Sequence, residues 1–274
     1  MSGFSADWLA LRAPFDGAAR ARALEAELAR WAAGRAEPLR IVDLGAGTGA
    51  NLRHLAPRLP VAQAWTLVEL DPALIAAGEP LLPRTGGVEA IYRRADLAAE
   101  LEAVLAGPVD LVTCSALLDL VSAAWLERLL RLVLERDLAL LAVLSYDGRV
   151  ALEPPRPLDG EVIALVNRHQ RTDKGFGPAL GPEAPFALAR SLDAAGDRPR
   201  VELSDWTAGP EERAFQAALV EGWAEAAAAI APERASAVAS WRQERLQLIA
   251  AGRSGCRVGH RDLLRLSRGQ RRTP

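Results

Sequence analysis

The sequence predicts an α/β protein built on a doubly wound, seven-stranded, mostly parallel sheet. Three observations carry this. Short apolar, β-branched segments alternate with helical ones through residue 146, in the order βαβαβαβαβ. Leu138–Tyr146 is a continuous apolar run, as expected of a strand covered on both faces. Directly after the first strand, Asp43-Leu44-Gly45-Ala46-Gly47-Thr48-Gly49 places three glycines at alternate positions. Right-handed crossovers make such a chain an open parallel sheet whose ligands sit at the carboxyl ends of the strands.

The elements follow in order. Trp8, Leu9, Leu11, Phe15 and Trp31 give an amphipathic entry, and Ala18–Ala33 reads as one strong helix, so residues 1–37 are expected to form a helical cap. Residues 38–150 are expected to form the cofactor-binding half. Its first strand ends at Asp43, and its second is Trp65–Glu69. Asp71-Pro72 then starts a helix with an N-cap and a proline at the first helical position. Val88–Arg93 is the third strand, and Leu97–Leu105 the next helix, with Asp96 before it. Val109–Cys114 is the fourth strand, a helix spans about Ala123 to Arg136, and Leu138–Tyr146 is the fifth strand. Residues 151–274 are expected to complete the sheet within a single overall domain. They supply a helix at Phe186–Ala195, a sixth strand at Arg200–Trp206 and an antiparallel seventh at Arg257–Leu266. Two insertions interrupt this half, at about 151–185 and 207–256. The first contains a helical stretch at Asp159–Arg171; the second reads as helices from Pro210 to Ala231 and from Pro232 to Gly252, and forms a lid, an extra wall or a dimer surface.

The glycine turn lets the backbone pass close to a ligand, because glycine has no Cβ and tolerates positive φ. The following helix aims its free N–H groups at the same spot. A dinucleotide fold would want G-x-G-x-x-G. Here the spacing is G-x-G-x-G with Asp43 two residues upstream, and a carboxylate there suits a cationic ligand where it would repel a phosphate. This pattern, with Ile41-Val42-Asp43-Leu44 before it, resembles motif I of the class I S-adenosylmethionine (SAM) dependent methyltransferases, which share a Rossmann-like sheet. The resemblance covers residues from about 38 to 146 well and the rest by topology.

The resemblance implies SAM as cofactor, with S-adenosyl-L-homocysteine (SAH) as product. It implies that Asp43 serves the ammonium, Glu69 at the tip of the second strand the ribose hydroxyls, and Asp96 the adenine amino group. Gly45, Ala46, Gly47, Gly49, Asn51, Leu70, Leu97 and Ser115 complete the expected cofactor site. Asp96 is equally readable as a helix N-cap, and Asp71 as a cap rather than a ribose ligand. The implied reaction is in-line methyl transfer, in which the protein positions the nucleophile and excludes water. Asp119 and Tyr146, just past the fourth and fifth strands, and His169 are the candidate catalytic residues; a histidine near its ordinary pKa suits proton transfer. His54 is expected to pack or face solvent.

Asn167-Arg168-His169-Gln170-Arg171-Thr172-Asp173-Lys174-Gly175 is the densest polar run in the chain. It follows the fifth strand, where binding loops gather. Asn167, His169, Gln170, Asp173 and Lys174 are the candidate acceptor-binding residues. Lys174 is the chain's one lysine, amid arginines that are not interchangeable with it in a tight pocket.

Composition bounds the partners. A net charge of −2 argues against a nucleic-acid substrate. The arginine-rich stretch from Arg253 to Arg272 is the one exception, and reads as a solvated, frayed end. No apolar run is long enough to span a membrane, and no leader is visible, which points to a cytoplasmic, bacterial enzyme acting as monomer or homodimer. Cys114 and Cys256 are not expected to pair, and no metal site is expected. The chain lacks an Asn-Pro-Pro-Tyr or Asp-Pro-Pro-Tyr clamp and a Pro-Cys nucleophile, leaving a small-molecule acceptor as the leading reading. The alternatives are a non-catalytic SAM or SAH sensor or partner subunit, and an RNA or protein methyltransferase.

Overall fold

A computed structural model describes residues 5–34, 38–83 and 86–268. The sheet strands are β1 (Leu39–Leu44), β2 (Gln63–Glu69), β3 (Val88–Arg94), β4 (Leu111–Ser115), β5 (Ala139–Glu153), β6 (Arg200–Leu203), β7 (Trp206–Ala208) and β8 (Gly255–Arg265). Their order is β3-β2-β1-β4-β5-β8-β6, with β7 also on β8. The first five pair in parallel, and β8 runs antiparallel between β5 and β6. The order in which strands are added reverses between β1 and β4, which makes their carboxyl ends the switch point where a ligand crevice opens.

Helices cover both faces. The helices are α1 (Ala6–Ala19), α2 (Arg22–Ala32), α3 (Ala50–Leu55), α4 (Pro72–Gly78), α5 (Leu97–Val104), α6 (Ala123–Glu135), α7 (Asp159–His169), α8 (Ala184–Ala194), α9 (Arg213–Ile230) and α10 (Ala235–Ala250). Alternate residues of β1 face opposite layers, as the period of a strand requires. Leu39 and Ile41 pack with Leu24, Leu28, Leu52 and Trp65. Val42 and Leu44 pack with Leu101, Trp125, Leu129 and Leu188. No helix among the described residues is long and apolar enough to cross a membrane. Both cysteines are buried and unpaired.

Four expectations about the elements need correction. The expected seven-stranded path is present, and an eighth strand, β7, lies off it because the stretch expected as one sixth strand breaks at Ser204–Asp205. There the Ser204 N–H still donates to the His260 carbonyl (3.0 Å), but the His260 N–H donates to the Asp205 side chain (3.2 Å) instead of a backbone carbonyl. The fifth strand does not stop at Tyr146. It shifts register twice, around Leu144 (φ 54°) and Gly148 (φ 86°), and continues to Glu153 against the start of β8. The single helix expected over Ala18–Ala33 is broken at Arg20–Ala21, where Asp262 of β8 accepts the Ala21 N–H at 2.9 Å and so starts α2 afresh. Finally, the arginine-rich stretch is not a frayed end as far as residue 268. Most of it is β8, and Arg265 is buried on Asp137 and Asp197 (2.7 and 3.1 Å). Residues 269–274 lie outside the described residues.

Candidate functional site

The turn after β1 is made of residues that need left-handed backbone: φ is 66° at Gly45, 55° at Gly47 and 77° at Gly49. Its shape is held from β2 and β3. The Gly47 N–H donates to Glu69 Oε2 at 2.8 Å, and the Tyr92 hydroxyl donates to the Gly47 carbonyl at 3.1 Å. Glu69 Oε1 accepts from the N–H groups of Leu70 (2.8 Å) and Asp71 (3.0 Å). One carboxylate thus ties the tip of β2 to the glycine turn, with a lone pair of Oε2 to spare. Ala46 is buried and donates its N–H to the Val68 carbonyl at 3.0 Å.

Below the turn lies a buried polar network. Asn51 Nδ2 donates to Asp43 (2.9 Å) and to the Thr113 hydroxyl (3.1 Å), while Asn51 Oδ1 accepts from Arg20 (2.9 Å). The Asn51 amide is therefore spent on protein partners, and its work is to hold Asp43. Burial pushes the Asp43 carboxyl up to about 7, against the pull of the Asn51 hydrogen bond and of Arg20. Asp43 Oδ2 has no hydrogen-bond partner among the described residues. Asp71 and Asp96 are both N-caps, accepting from Ala73 (2.8 Å) and Ala98 (2.9 Å). Leu97 is buried with its carbonyl on the Trp125 indole at 2.6 Å; Leu70 is half exposed, and Ser115 ends β4 half-buried. His54 pairs with Glu25 at 2.6 Å. Burial raises that carboxyl, but the His54 and Arg22 hydrogen bonds outweigh it and bring it down to about 2. His54 is thus a packing residue that fastens α2 to α3.

On the other side of the switch point, Asp119 occupies the turn after β4. Burial pushes its carboxyl up to about 6, opposed by its own backbone N–H and by Arg12. Its Oδ1 is buried without a hydrogen-bond partner. Tyr146 of β5 donates its hydroxyl to Asn167 Oδ1 at 2.7 Å, and Asn167 Nδ2 donates to the Gly148 carbonyl at 3.0 Å. Burial, and then Asp147 and Asp119, raise the Tyr146 hydroxyl, so it stays a donor. The structure therefore joins Tyr146 to Asn167, with Asp119 near enough for its charge to be felt by the Tyr146 hydroxyl. His169, half-buried Gln170, Asp173 and Lys174 form a turn at the end of α7 that is mostly bonded to itself. Asp173 accepts from Gly175 and Gly177 (2.7 and 3.0 Å), and Lys174 donates to the Thr172 hydroxyl (2.9 Å). Burial lowers His169, helped by Lys174, and burial alone lowers Lys174. The loop rests on the turn that carries Asp119: Leu180 N–H donates to the Val121 carbonyl at 2.8 Å, and Phe176 meets Trp125 edge-on at 5.6 Å.

Five contributors escaped the sequence reading. Arg12, Asp16 and Arg20 come from the N-terminal helices, and Trp206 and His260 from β7 and β8. Arg12 and Asp16 stand one helical turn apart on the side of α1 that carries Trp8 and Phe15, which was a legible signal. Arg20, Trp206 and His260 carried none.

Residues 41–135 match a protein family described as a methyltransferase domain. That segment, about a third of the chain, is a methyltransferase domain. No curated protein matches it. Among solved structures, it resembles a mycolic acid cyclopropane synthase complexed with SAH (13% identity, 89% of this chain and 84% of that one, TM-score 0.48). It also resembles SAM-dependent methyltransferases from Thiobacillus denitrificans (15%, 97% and 99%, 0.45) and Geobacter sulfurreducens (14%, 91% and 92%, 0.42), each in complex with SAH. SAM is the cofactor that the glycine motif implies. The residues at the switch point suit that cofactor: the turn carries no side chain at Gly45, Gly47 or Gly49, and a carboxylate stands on each side of it, at Asp43 and Glu69.

Proposed function

We propose that this methyltransferase methylates a small-molecule acceptor held between Asp119, Tyr146 and Asn167, with SAM lying along the glycine turn. The observation that carries the reading is the buried, unpartnered oxygen of Asp119, next to the switch point. An unpaired buried carboxylate oxygen is costly, and a hydrogen-bond donor on the acceptor removes that cost.

In this reading Gly45, Ala46, Gly47 and Gly49 give the cofactor close approach, Glu69 takes the ribose hydroxyls, and Asp43, steadied by Asn51, favours the ammonium. Asp96, Leu97, Leu70 and Ser115 edge the adenine end. SAM supplies an electrophilic methyl on a sulfonium. Asp119, mostly ionised above its raised pKa, orients the nucleophile and takes its proton. Tyr146, fixed by Asn167, sets the height of the acceptor. His169, held neutral, stands with Gln170, Asp173 and Lys174 at the outer rim. The helices of residues 5–34 act as a cap (the rest of the expected 1–37 cap lies outside the described residues), and the helices of 207–256 as a wall rather than a groove. We place the enzyme in a bacterial cytoplasm, where its two buried thiols stay reduced, as a monomer or homodimer.

Labelled methyl transfer into a fractionated cell extract tests the reading. Label is expected in the dialysable fraction; label confined to RNA or protein overturns it. Asp119→Asn is expected to keep SAH affinity and to lower turnover by about 10²–10⁴-fold. Unchanged turnover would remove Asp119 from the reaction.

A further inference from the structure

One arginine in the site has a prepared geometry and an unused end. Arg12 lies on α1 with its side chain nine-tenths buried. Its Nε donates to Asp16 Oδ2 at 2.9 Å, and the other oxygen of Asp16 accepts from the Trp206 indole at 3.0 Å. The guanidinium lies over the Trp206 ring, 5.2 Å from its centroid. Trp206 in turn meets His260 at 4.4 Å with the rings tilted by 48°, and His260 stands 6.0 Å from the Tyr146 ring. The arginine is thus locked on one side by a carboxylate and on its face by an indole. Its two terminal nitrogens, Nη1 and Nη2, donate to nothing among the described residues, and Asp16 is its one ion-pair partner there. Neither terminal nitrogen is fully shut off from solvent, and the fork they form is shaped for a planar, two-oxygen anion.

We propose that the Arg12 fork is a carboxylate subsite of the acceptor pocket, so that the acceptor is a small carboxylic acid whose N–H or O–H meets Asp119. The inference rests on the methyltransferase reading of this pocket. Its location favours the acceptor over the cofactor. Arg12 is felt by Asp119 and His260, on the β4, β5 and β8 side, whereas the cation beside Asp43 is Arg20. His260 adds no charge beside Arg12, because burial and then Arg12 hold it neutral, down to about 4; Arg171 is a further cation felt by Tyr146. In the transfer, the acceptor nitrogen or oxygen lone pair bonds to the methyl carbon, the carbon–sulfur bond breaks onto sulfur to leave SAH, and the acceptor's proton goes to Asp119.

The test uses the full-length protein saturated with SAH, titrated by calorimetry with benzoate, 4-hydroxybenzoate and glycine, each beside its primary amide. At least one acid is expected to bind, with its amide weaker by about tenfold or more. Arg12→Gln is expected to abolish that preference while SAH affinity stays within about twofold, and Arg12→Lys to restore part of it, since charge without the fork is the lesser match. No acid binding to the wild type, or equal binding of acid and amide, overturns the proposal whether or not the variants fold. A loss of SAH affinity in Arg12→Gln would reassign the fork to the carboxylate of the cofactor and equally overturn it. Failure of the wild type to bind SAH at all would instead sink the reading of the pocket on which it rests.

Discussion

Glu69→Ala is the sharpest test of the cofactor site. The wild-type carboxylate accepts three backbone N–H groups, from Gly47, Leu70 and Asp71, at 2.8, 2.8 and 3.0 Å. It is almost fully buried, so these charged bonds fall in the range of about 1.5–3 kcal/mol each, and they are not additive. Truncation releases the Gly47 tether to the turn and, on the proposed reading, removes the acceptor for the ribose hydroxyls. Counting only the ribose contact, the loss of SAH affinity is about 1–3 kcal/mol, or about five- to 150-fold in Kd. Glu69→Gln separates the two roles. Its amide oxygen still serves Leu70 and Asp71, but its NH2 would face the Gly47 N–H, donor against donor, so SAH binding weakens with less loss of stability than in the alanine variant. Calorimetric titration with SAH, alongside thermal unfolding of each variant, makes the measurement. If both variants fold and bind SAH as the wild type does, Glu69 merely props the turn and the ribose lies elsewhere.

Asp119→Asn carries a pH signature. The folded carboxyl is raised from 3.8 to about 6, so the protein is more stable with Asp119 protonated, and that advantage is lost as pH climbs from about 4 to 6. The variant does not titrate there, so its stability relative to wild type should grow by about 3 kcal/mol across that window; a pH-independent difference in denaturant midpoints would refute the assignment. Asp262→Ala strips the acceptor from the buried N–H groups of Leu144 (2.7 Å) and Ala21 (2.9 Å). It should cost about 2–5 kcal/mol in chemical denaturation, and a loss under about 1 kcal/mol would show that neither bond holds the cap. Gly47→Val meets both a φ of 55° and a Cβ position 3.0 Å from Leu9 Cδ1 of α1, so SAH binding should vanish in calorimetry; unchanged affinity would move the cofactor off the turn. Lys174→Arg, tested by steady-state kinetics and SAH titration, should depress turnover more than SAH affinity, and equal turnover would leave Lys174 with its Thr172 bond alone.

The parallel half of the sheet was legible because its signals are local. Five strands, the Asp71-Pro72 cap and the Asp96 cap each depend on a few consecutive residues, and each begins close to where the pattern put it, although the fifth strand runs on past Tyr146 to Glu153. What the pattern missed depends on partners far along the chain. Nothing near Arg20 or Ala21 breaks a helix; the break exists because Asp262, on β8, presents a carboxylate to the Ala21 N–H. The same carboxylate takes the Leu144 N–H and steadies a left-handed residue in the middle of an apolar run, where local propensity favours an unbroken strand. Ser204–Asp205 is similar: a polar pair inside a β-branched stretch becomes a bulge only when a side chain captures the His260 N–H.

That dependence also explains why the glycine turn announces itself while the acceptor side does not. The cofactor needs backbone, and backbone needs glycine at a fixed spacing. The opposing wall needs side chains in a shared volume, with no constraint on how they are spaced in the chain. Arg12 and Asp16 arrive on α1, Asp119 after β4, Tyr146 on β5, Asn167 on α7, Trp206 on β7 and His260 on β8. The polar run of residues 167–175 stood out by density, yet much of that density is consumed in closing its own turn: Asp173 on Gly175 and Gly177, Lys174 on Thr172. Only Asn167 turns inward, to Tyr146. Density of polar residues marks where a loop must satisfy itself; unsatisfied polar atoms under cover, as at Asp119 and Asp43, mark where a ligand is expected, and those are visible only once the chain has folded.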